Sequence, residues 1–170
     1  MNQSAMRQFL SEENITRHKD YLNSMRGKLS IIEKSFNDKK NMDIKTRNEY
    51  NYLRKCISSH ELFFNSFKLS SGKCANIKKY FSSKERFIYD LMEISKNKES
   101  GFIYVYVDKR KTPQIDYSTD FSDPYSKFEP ILAFDLYEHV YFADYGFKKA
   151  DFLKNALVYL DLDALDCKLS

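Results

Sequence analysis

Two long stretches near the start of the chain repeat apolar residues at steps of three and four. The first runs from Ser11 to about Asn37, and the second runs from about Arg47 to Phe67. This spacing puts the apolar side chains of each stretch on one face of a helix, and Ser11 is a suitable N-cap for the first. The polar segment over 38–45 is long enough to reverse the chain. The sequence therefore predicts an antiparallel helical hairpin.

A segment rich in Ser, Gly and Lys follows the hairpin at 70–78 and is typical of a linker or surface loop. Beyond it, Ser82 and Glu85 form a capping-box signal for a helix over about 83–97. Gly101 is expected to end that helix. The second half of the chain therefore begins with a helix of its own.

Aromatic and β-branched residues dominate the next segments, which predicts three short strands. They cover 102–107, a segment around Ile115 and Tyr117, and 130–134. Helical patterns return after Asp135, first through Tyr145 and then over 147–160. The predicted fold class is α+β, with an N-terminal antiparallel helical hairpin followed by a small three-stranded antiparallel sheet packed with helices. We expect two domains, 1–78 and 79–170, divided at the linker.

Charge and apolar patterning exclude several classes of protein. The 28 basic and 24 acidic residues give a net charge of +4, without the dense basic blocks of a nucleic-acid-binding protein. No apolar run reaches the roughly 18 residues of a membrane-spanning helix, and no secretory signal is evident. Three cysteines without CxxC spacing indicate reduced thiols. We therefore expect no membrane or nucleic-acid partner and a cytoplasmic location, with an organelle matrix as the alternative.

The chain has three histidines, and their positions point to a metal site. His18 and His60 lie in the apolar faces of the two predicted helices, and His139 follows Asp135 by four residues, so the two converge if a strand ends and a helix begins between them. A lone histidine on an apolar face is usually structural, but that explanation is needed here for every histidine in the chain. Three imidazoles and one carboxylate are a mixed nitrogen and oxygen donor set that suits iron, manganese or zinc. The residues alone leave the metal open among these.

Four segments carry a more specific pattern. The segment over 130–145 begins as a predicted strand. It continues with Asp135, two further residues, Glu138-His139, a small residue, two aromatic residues and a later Asp144-Tyr145. The segment 10–18 is the start of the first predicted helix and carries His18. In the second helix, the segment 60–64 has His60 before a polar residue and an aliphatic-aromatic pair, and 100–104 leads into a strand. Together these segments resemble the iron and manganese superoxide dismutases. The resemblance covers nearly the whole chain.

The resemblance implies one iron or manganese ion held by His18, His60, Asp135 and His139, with a fifth position for water or hydroxide. It also implies dismutation, in which two superoxide anions and two protons give dioxygen and hydrogen peroxide. The task of the protein would then be to set the potential of the metal and to deliver protons.

Around these ligands the chain departs from the family pattern. The family places a Gln against the metal-bound solvent, and the two positions that correspond to it here hold Cys56 and Asp120. An ionised Asp120 would accept a hydrogen bond, favour protonated solvent and shift the redox potential. The first helix has Leu22 and Arg26 where many members have His and Tyr, and Arg26 could draw superoxide to the site. We take Asp120 and Arg26 as candidate catalytic residues, with ordinary surface charges as the alternative.

Two further positions concern a partner subunit. Phe142 stands where the family has an aromatic residue that contacts the neighbouring subunit. Glu138 is kept, and in the family this Glu reaches the last histidine ligand of the partner. The resemblance therefore implies a two-fold homodimer with Glu138 near the interface, unless Glu138 is merely an exposed helix residue.

These observations leave competing functions. The first is a metal-dependent superoxide dismutase with altered residues around the ligands. The second is a superoxide-dismutase-like protein without dismutase activity, acting as a structural or interaction subunit of a larger assembly. The missing Gln, His and Tyr favour the second, and the complete ligand set favours the first. A metal-dependent oxidase or peroxidase on the same site is a weaker third.

Overall fold

The structure is a computed structural model, and it describes residues 3–36, 42–69, 72, 74–119 and 129–170. None of the helices described combines the length and the apolar character that a membrane crossing requires. The candidate Asp120 and the first half of the predicted turn over 38–45 lie outside the described residues.

The N-terminal part contains the predicted pair of long helices, preceded by a short helix α1 (Gln3–Met6). Helix α2 (Glu12–Ser35) begins after Ser11, whose side chain accepts a hydrogen bond from the backbone N–H of Asn14. Helix α3 (Ile44–Asn65) begins earlier than predicted, because Asp43 caps it by accepting from the N–H of Thr46. The two helices pack against each other.

Two shorter helices connect the hairpin to the sheet, α4 (Ile77–Phe81) and α5 (Lys84–Lys96). The predicted linker therefore ends slightly too late, since α4 begins at Ile77. The predicted cap of α5 was wrong by one residue: Ser83, not Ser82, accepts from the N–H of Arg86. Ser82 has a φ of 61° at the end of α4, whereas an N-cap needs an extended backbone such as that of Ser83.

The sheet contains the three predicted strands, β1 (Phe102–Val107), β2 (Pro113–Ser118) and β3 (Pro130–Asp135). Their order is β2-β1-β3, and β1 pairs antiparallel with both neighbours. Gly101 precedes β1 with a φ of 124°, and a Cβ there would lie 2.6 Å from the carbonyl oxygen of Ser118. Only glycine allows this close approach of the two strands.

Three helices complete the chain, α6 (Glu138–Tyr145), α7 (Lys149–Leu157) and α8 (Leu162–Lys168). The first two confirm the helical patterns after Asp135, although α7 is shorter than the predicted 147–160. Helix α8 was not predicted. It is capped by Asp161, which accepts from the N–H of Ala164.

The hairpin and the sheet share one apolar core, with α3 packed against β3. The buried Ser66 hydroxyl joins the two elements, since it donates to the carbonyl of Leu62 (2.7 Å) and accepts from the N–H of Ala133 (2.8 Å). The predicted α+β class is confirmed. The division into 1–78 and 79–170 stays a prediction.

Candidate metal centre

The four predicted ligand residues meet at one point between the hairpin and the sheet. His18 comes from α2, His60 from α3, Asp135 from the end of β3 and His139 from the first turn of α6. One ligand atom of each lies within 4.8 Å of the ligand atoms of the other three. The fold therefore brings together residues that are widely separated in the sequence.

The carboxylate of Asp135 is central to the cluster. Its Oδ2 atom lies 3.5 Å from Nε2 of His18, 3.6 Å from Nε2 of His60 and 3.3 Å from Nε2 of His139. Within the described residues, this oxygen and both ring nitrogens of His18 are buried without a hydrogen-bond partner. Buried polar atoms are almost always satisfied, so such a set of atoms calls for a ligand that they share.

Backbone geometry fixes the orientation of Asp135. The residue ends β3, and its Oδ1 atom accepts a hydrogen bond of 2.8 Å from the backbone N–H of Tyr137. Next to it, the N–H of Leu136 donates to the carbonyl of Gly101 at 2.8 Å. These bonds hold the chain as it leaves the strand and leave Oδ2 directed at the histidines.

A hydrogen bond also fixes the chemical form of His60. Its Nδ1 atom lies 2.7 Å from the carbonyl oxygen of Cys56, one turn earlier on α3. A carbonyl can only accept, so Nδ1 carries the proton and Nε2 presents its lone pair towards Asp135. A neutral imidazole held in this way is ready to bind a metal ion.

Electrostatics favour the same protonation states. Burial lowers the pKa of His18 to about 3, against the opposing influence of Asp135. Burial likewise lowers the pKa of His60, again opposed by Asp135. Burial alone would raise the pKa of Asp135, but the three histidines outweigh it and lower that pKa. Near neutral pH the buried part of the cluster is thus two neutral imidazoles and one carboxylate.

A set of hydrogen bonds ties α2 to α6 and so holds His18 near His139. The buried Asn14 amide donates to the carbonyl of Val140 at 2.7 Å and to the carboxylate of Asp144 at 3.0 Å. The same carboxylate accepts from the N–H of Ser11 at 2.8 Å. These bonds therefore join the two helices that carry His18 and His139 close to both histidines.

The cluster opens to solvent on the side of His139. The side chain of His139 is 34% exposed, whereas those of His18 and Asp135 are fully buried. An open cleft of about 640 Å³ leads to the imidazoles of His18 and His139. The charged residues of its lining are the acids Glu13, Glu138 and Asp144 and the base Arg17. Arg17 is paired with Glu13, so acidic groups dominate the approach.

Two tyrosines lie at the centre, and one of them, Tyr21, was not identified from the sequence. The ring of Tyr21 lies 5.0 Å from that of His139 and 5.4 Å from that of His60. The ring of Tyr137 stacks on His139 at 5.8 Å. The one available signal was that Tyr21 follows His18 by three residues, which puts both on one side of α2. Burial, followed by the nearby Cys56, raises the pKa of Tyr21 to about 12, so its hydroxyl stays protonated.

Other residues singled out in the sequence have definite places. Cys56 is buried, and its sulfur lies 3.6 Å from Nδ1 of His60. Arg26 forms an ion pair of 2.6 Å with Glu61, the residue after His60. Glu138 and Phe142 are exposed on α6. The roles predicted for these side chains stay predictions.

The donor set fits iron or manganese. It offers three imidazole nitrogens and one carboxylate oxygen at mutual distances that a single ion can bridge. The buried donors without partners are the atoms that such an ion would satisfy. No thiolate takes part in the group, since its members are histidines and an aspartate.

Comparison with known proteins agrees with this chemistry. A family model described as iron/manganese superoxide dismutases, C-terminal domain, matches residues 70–167, which is more than half of the chain. Asp135 and His139 lie inside the matched range, while His18 and His60 precede it.

Two bacterial proteins are similar to the chain. A Mn/Fe superoxide dismutase of Porphyromonas gingivalis is 26% identical over 118 residues, which are 65% of this chain and 62% of that protein. An Fe superoxide dismutase of Bacteroides fragilis is 29% identical over 122 residues, 66% of this chain and 63% of that protein. The match therefore spans less than two thirds of the length of either relative.

Proposed function

This chain belongs to the iron/manganese superoxide dismutase family, and on that premise we propose that it is a metal-dependent superoxide dismutase. The cofactor of the family is iron or manganese. We assign the ion to His18, His60, Asp135 and His139. The reaction converts two superoxide anions and two protons into dioxygen and hydrogen peroxide.

One observation carries the proposal: four donors from α2, α3, β3 and α6 converge within 4.8 Å. A structural histidine in an apolar core would find a hydrogen-bond partner of its own, yet both ring nitrogens of His18 lack one among the described residues. A buried carboxylate surrounded by neutral imidazoles is costly unless a cation is bound.

A bound iron or manganese ion supplies the one-electron oxidation and reduction that dismutation requires. The residues of the chain do the rest. His60 is held as a neutral donor by the carbonyl of Cys56, and Asp135 supplies the negative charge that favours a cation. The hydroxyl of Tyr21 remains protonated beside the cleft. We assign to Arg26 the attraction of superoxide and to Asp120 the adjustment of the redox potential.

We also propose a homodimer with Glu138 near the interface. Support comes from the exposure of Glu138 and His139 side by side on α6. The aromatic rings of Phe142 and Phe147 next to them are 45% and 90% exposed and contact each other at 5.2 Å. An exposed apolar pair beside a half-open site fits coverage by a second copy. Sedimentation should give a dimer for the wild type and a monomer for Phe147→Glu.

A second candidate is a metal-binding member of the family without dismutase activity, serving as a structural or interaction subunit. The acidic cleft favours it, because Glu13, Glu138 and Asp144 outnumber Arg17 on the way to His139. An anion such as superoxide would be repelled by such a surface. Retention of the metal without activity is the result that this candidate predicts.

The test is to load the purified protein with iron or manganese, measure metal content by mass spectrometry, and then follow superoxide decay. We expect one ion per chain and accelerated decay in the wild type. His60→Ala should lose both, and Ser58→Ala, an exposed position on the same helix, should keep both. If the protein binds metal but does not accelerate superoxide decay, the second candidate function is supported and the dismutase function is rejected. Absence of metal from every preparation would defeat both.

A further inference from the structure

Among the four proposed ligand residues, His139 is the one whose side chain is held least by packing in the core. It lies in the first turn of α6, a helix of eight residues whose N-cap, Tyr137, makes no side-chain capping bond. Its side chain is 34% exposed, so packing against the interior does not define its orientation by itself. First turns of short helices are also where helical structure is weakest.

Two tyrosine rings flank this imidazole. Tyr137 is nearly parallel to it, with an interplanar angle of 20° and centroids 5.8 Å apart. Tyr21 lies 5.0 Å from it at an angle of 35°. Both separations are within the range of favourable aromatic contacts. The two rings therefore restrict the imidazole where the core does not.

Each ring is itself anchored. The hydroxyl of Tyr137 donates to the carbonyl of Thr119 at 2.6 Å, and its backbone N–H is bonded to Asp135. Tyr21 projects from α2, which the amide of Asn14 ties to α6. Because the Tyr21 ring also lies 5.4 Å from His60, a single side chain contacts two of the four ligand residues.

We propose that Tyr21 and Tyr137 are positioning residues that form an aromatic clamp around His139 and hold its Nε2 towards Asp135. The clamp acts through the rings, so the hydroxyl of Tyr21 is dispensable for it. The consequence for metal retention rests on the proposed function, but the orientation of His139 exists in the metal-free chain.

The first test uses metal-free protein. With three histidines in the chain, the ring resonances in an NMR spectrum are few, and His139→Gln assigns those of His139. The wild type and Tyr21→Phe should each show one sharp set of imidazole resonances for His139. These resonances should show cross-relaxation with the protons of the aromatic ring at position 21. Tyr21→Leu, which removes the ring but keeps an apolar side chain, should broaden or shift the His139 resonances. Tyr89→Ala, at an exposed tyrosine on α5, is the matched control and should change nothing.

The second test measures manganese dissociation into excess chelator. Tyr21→Leu should release the ion about tenfold faster than the wild type, the scale typical of residues that orient a metal ligand, while Tyr21→Phe stays within about twofold. The clamp is overturned if Tyr21→Leu leaves both readouts unchanged, or if Tyr21→Phe behaves like Tyr21→Leu. If the wild type binds neither manganese nor iron, the proposed function fails, and the NMR comparison still decides the clamp.

Discussion

At the scale of single residues, the sequence is most informative where a polar side chain interrupts an apolar face. His18 and His60 stood out for this reason, and both lie in the cluster. Tyr21 did not stand out, because 13 tyrosines and 14 phenylalanines make one more aromatic residue look like packing. Its contact with His139 depends on the crossing of α2 and α6, which no local pattern encodes.

The buried histidines predict how the stability of the metal-free chain changes with pH. Burial lowers the pKa of His18 from 6.5 to about 3 and lowers that of His60 as well. Below pH 6.5 the unfolded chain therefore binds protons that the folded chain excludes, so stability falls as the pH falls. Each histidine contributes up to about 1.4 kcal/mol per pH unit.

The slope of the unfolding free energy against pH is best measured between pH 6.5 and about 4.5, before the carboxyl groups titrate. Urea unfolding of the metal-free protein should give a free energy that declines steadily over this window. His18→Gln should decline less steeply because one proton-binding group is gone. A free energy that is flat across the window would contradict the burial of neutral imidazoles.

The predicted role of Arg26 has an electrostatic signature. If its charge guides superoxide, Arg26→Gln should lower the rate constant about threefold at low ionic strength, and the difference should fade as salt rises. Arg17→Gln, which removes the guanidinium in the acidic cleft, is the comparison. An equal loss at all salt concentrations would point to a structural role through the pair with Glu61.

At the scale of elements, the segments with a clear periodic or β-rich pattern were predictable, and the shortest helices were not. Helices α2, α3 and α5 and the three strands were recognised from their patterns. Helices α1, α4 and α8 were missed because four to seven residues contain too few turns to show a period. The start of α3 was misplaced because the Asp43 cap lies in a polar stretch that was assigned to the turn.

The junction of α2 with α6 should depend on Asn14. Its amide satisfies the carbonyl of Val140 and contacts Asp144, and Asn14 is 1% exposed. Asn14→Ala should cost about 1–3 kcal/mol of unfolding free energy, because a buried carbonyl loses its donor. Metal retention should also fall in Asn14→Ala, because α2 and α6 are held together less firmly. Asn51→Ala, at an exposed position on α3, is the control for chemical denaturation.

The junction of α3 with β3 should depend on Ser66. Removing its hydroxyl in Ser66→Ala leaves the N–H of Ala133 without its 2.8 Å acceptor in the core. We expect a loss of about 1–3 kcal/mol and faster hydrogen exchange at the amide of Ala133. Ser58→Ala should leave that amide protected. Unchanged exchange in Ser66→Ala would mean that the bond does not hold the strand to the helix.

At the scale of the whole molecule, the centre is a weakness of the metal-free fold. The Oδ2 atom of Asp135 is buried beside three imidazole nitrogens 3.3 to 3.6 Å away and has no hydrogen-bond partner among the described residues. Asp135→Asn would turn one acceptor into a donor for those nitrogens. Such conflicts are expected where function rather than stability selects the residue.

Asp135→Asn should therefore raise the unfolding free energy of the metal-free chain by about 1 kcal/mol. With metal the wild type should be the more stable of the two, because a free metal concentration a thousandfold above the dissociation constant stabilises it by about 4 kcal/mol. Thermal unfolding with and without manganese measures both. A variant that is less stable than the wild type in both conditions would show that the carboxylate stabilises the fold without an ion.

The division of the ligands between the two halves of the chain sets an order of events during synthesis. The hairpin that carries His18 and His60 consists of local contacts and can form while later residues are still on the ribosome. Asp135 and His139 are added after β1 and β2, so a nascent hairpin presents only two of the four proposed ligand residues. If these four residues hold the ion, as proposed, metal uptake has to wait until β3 has joined the sheet, and a bound ion then indicates that folding is complete.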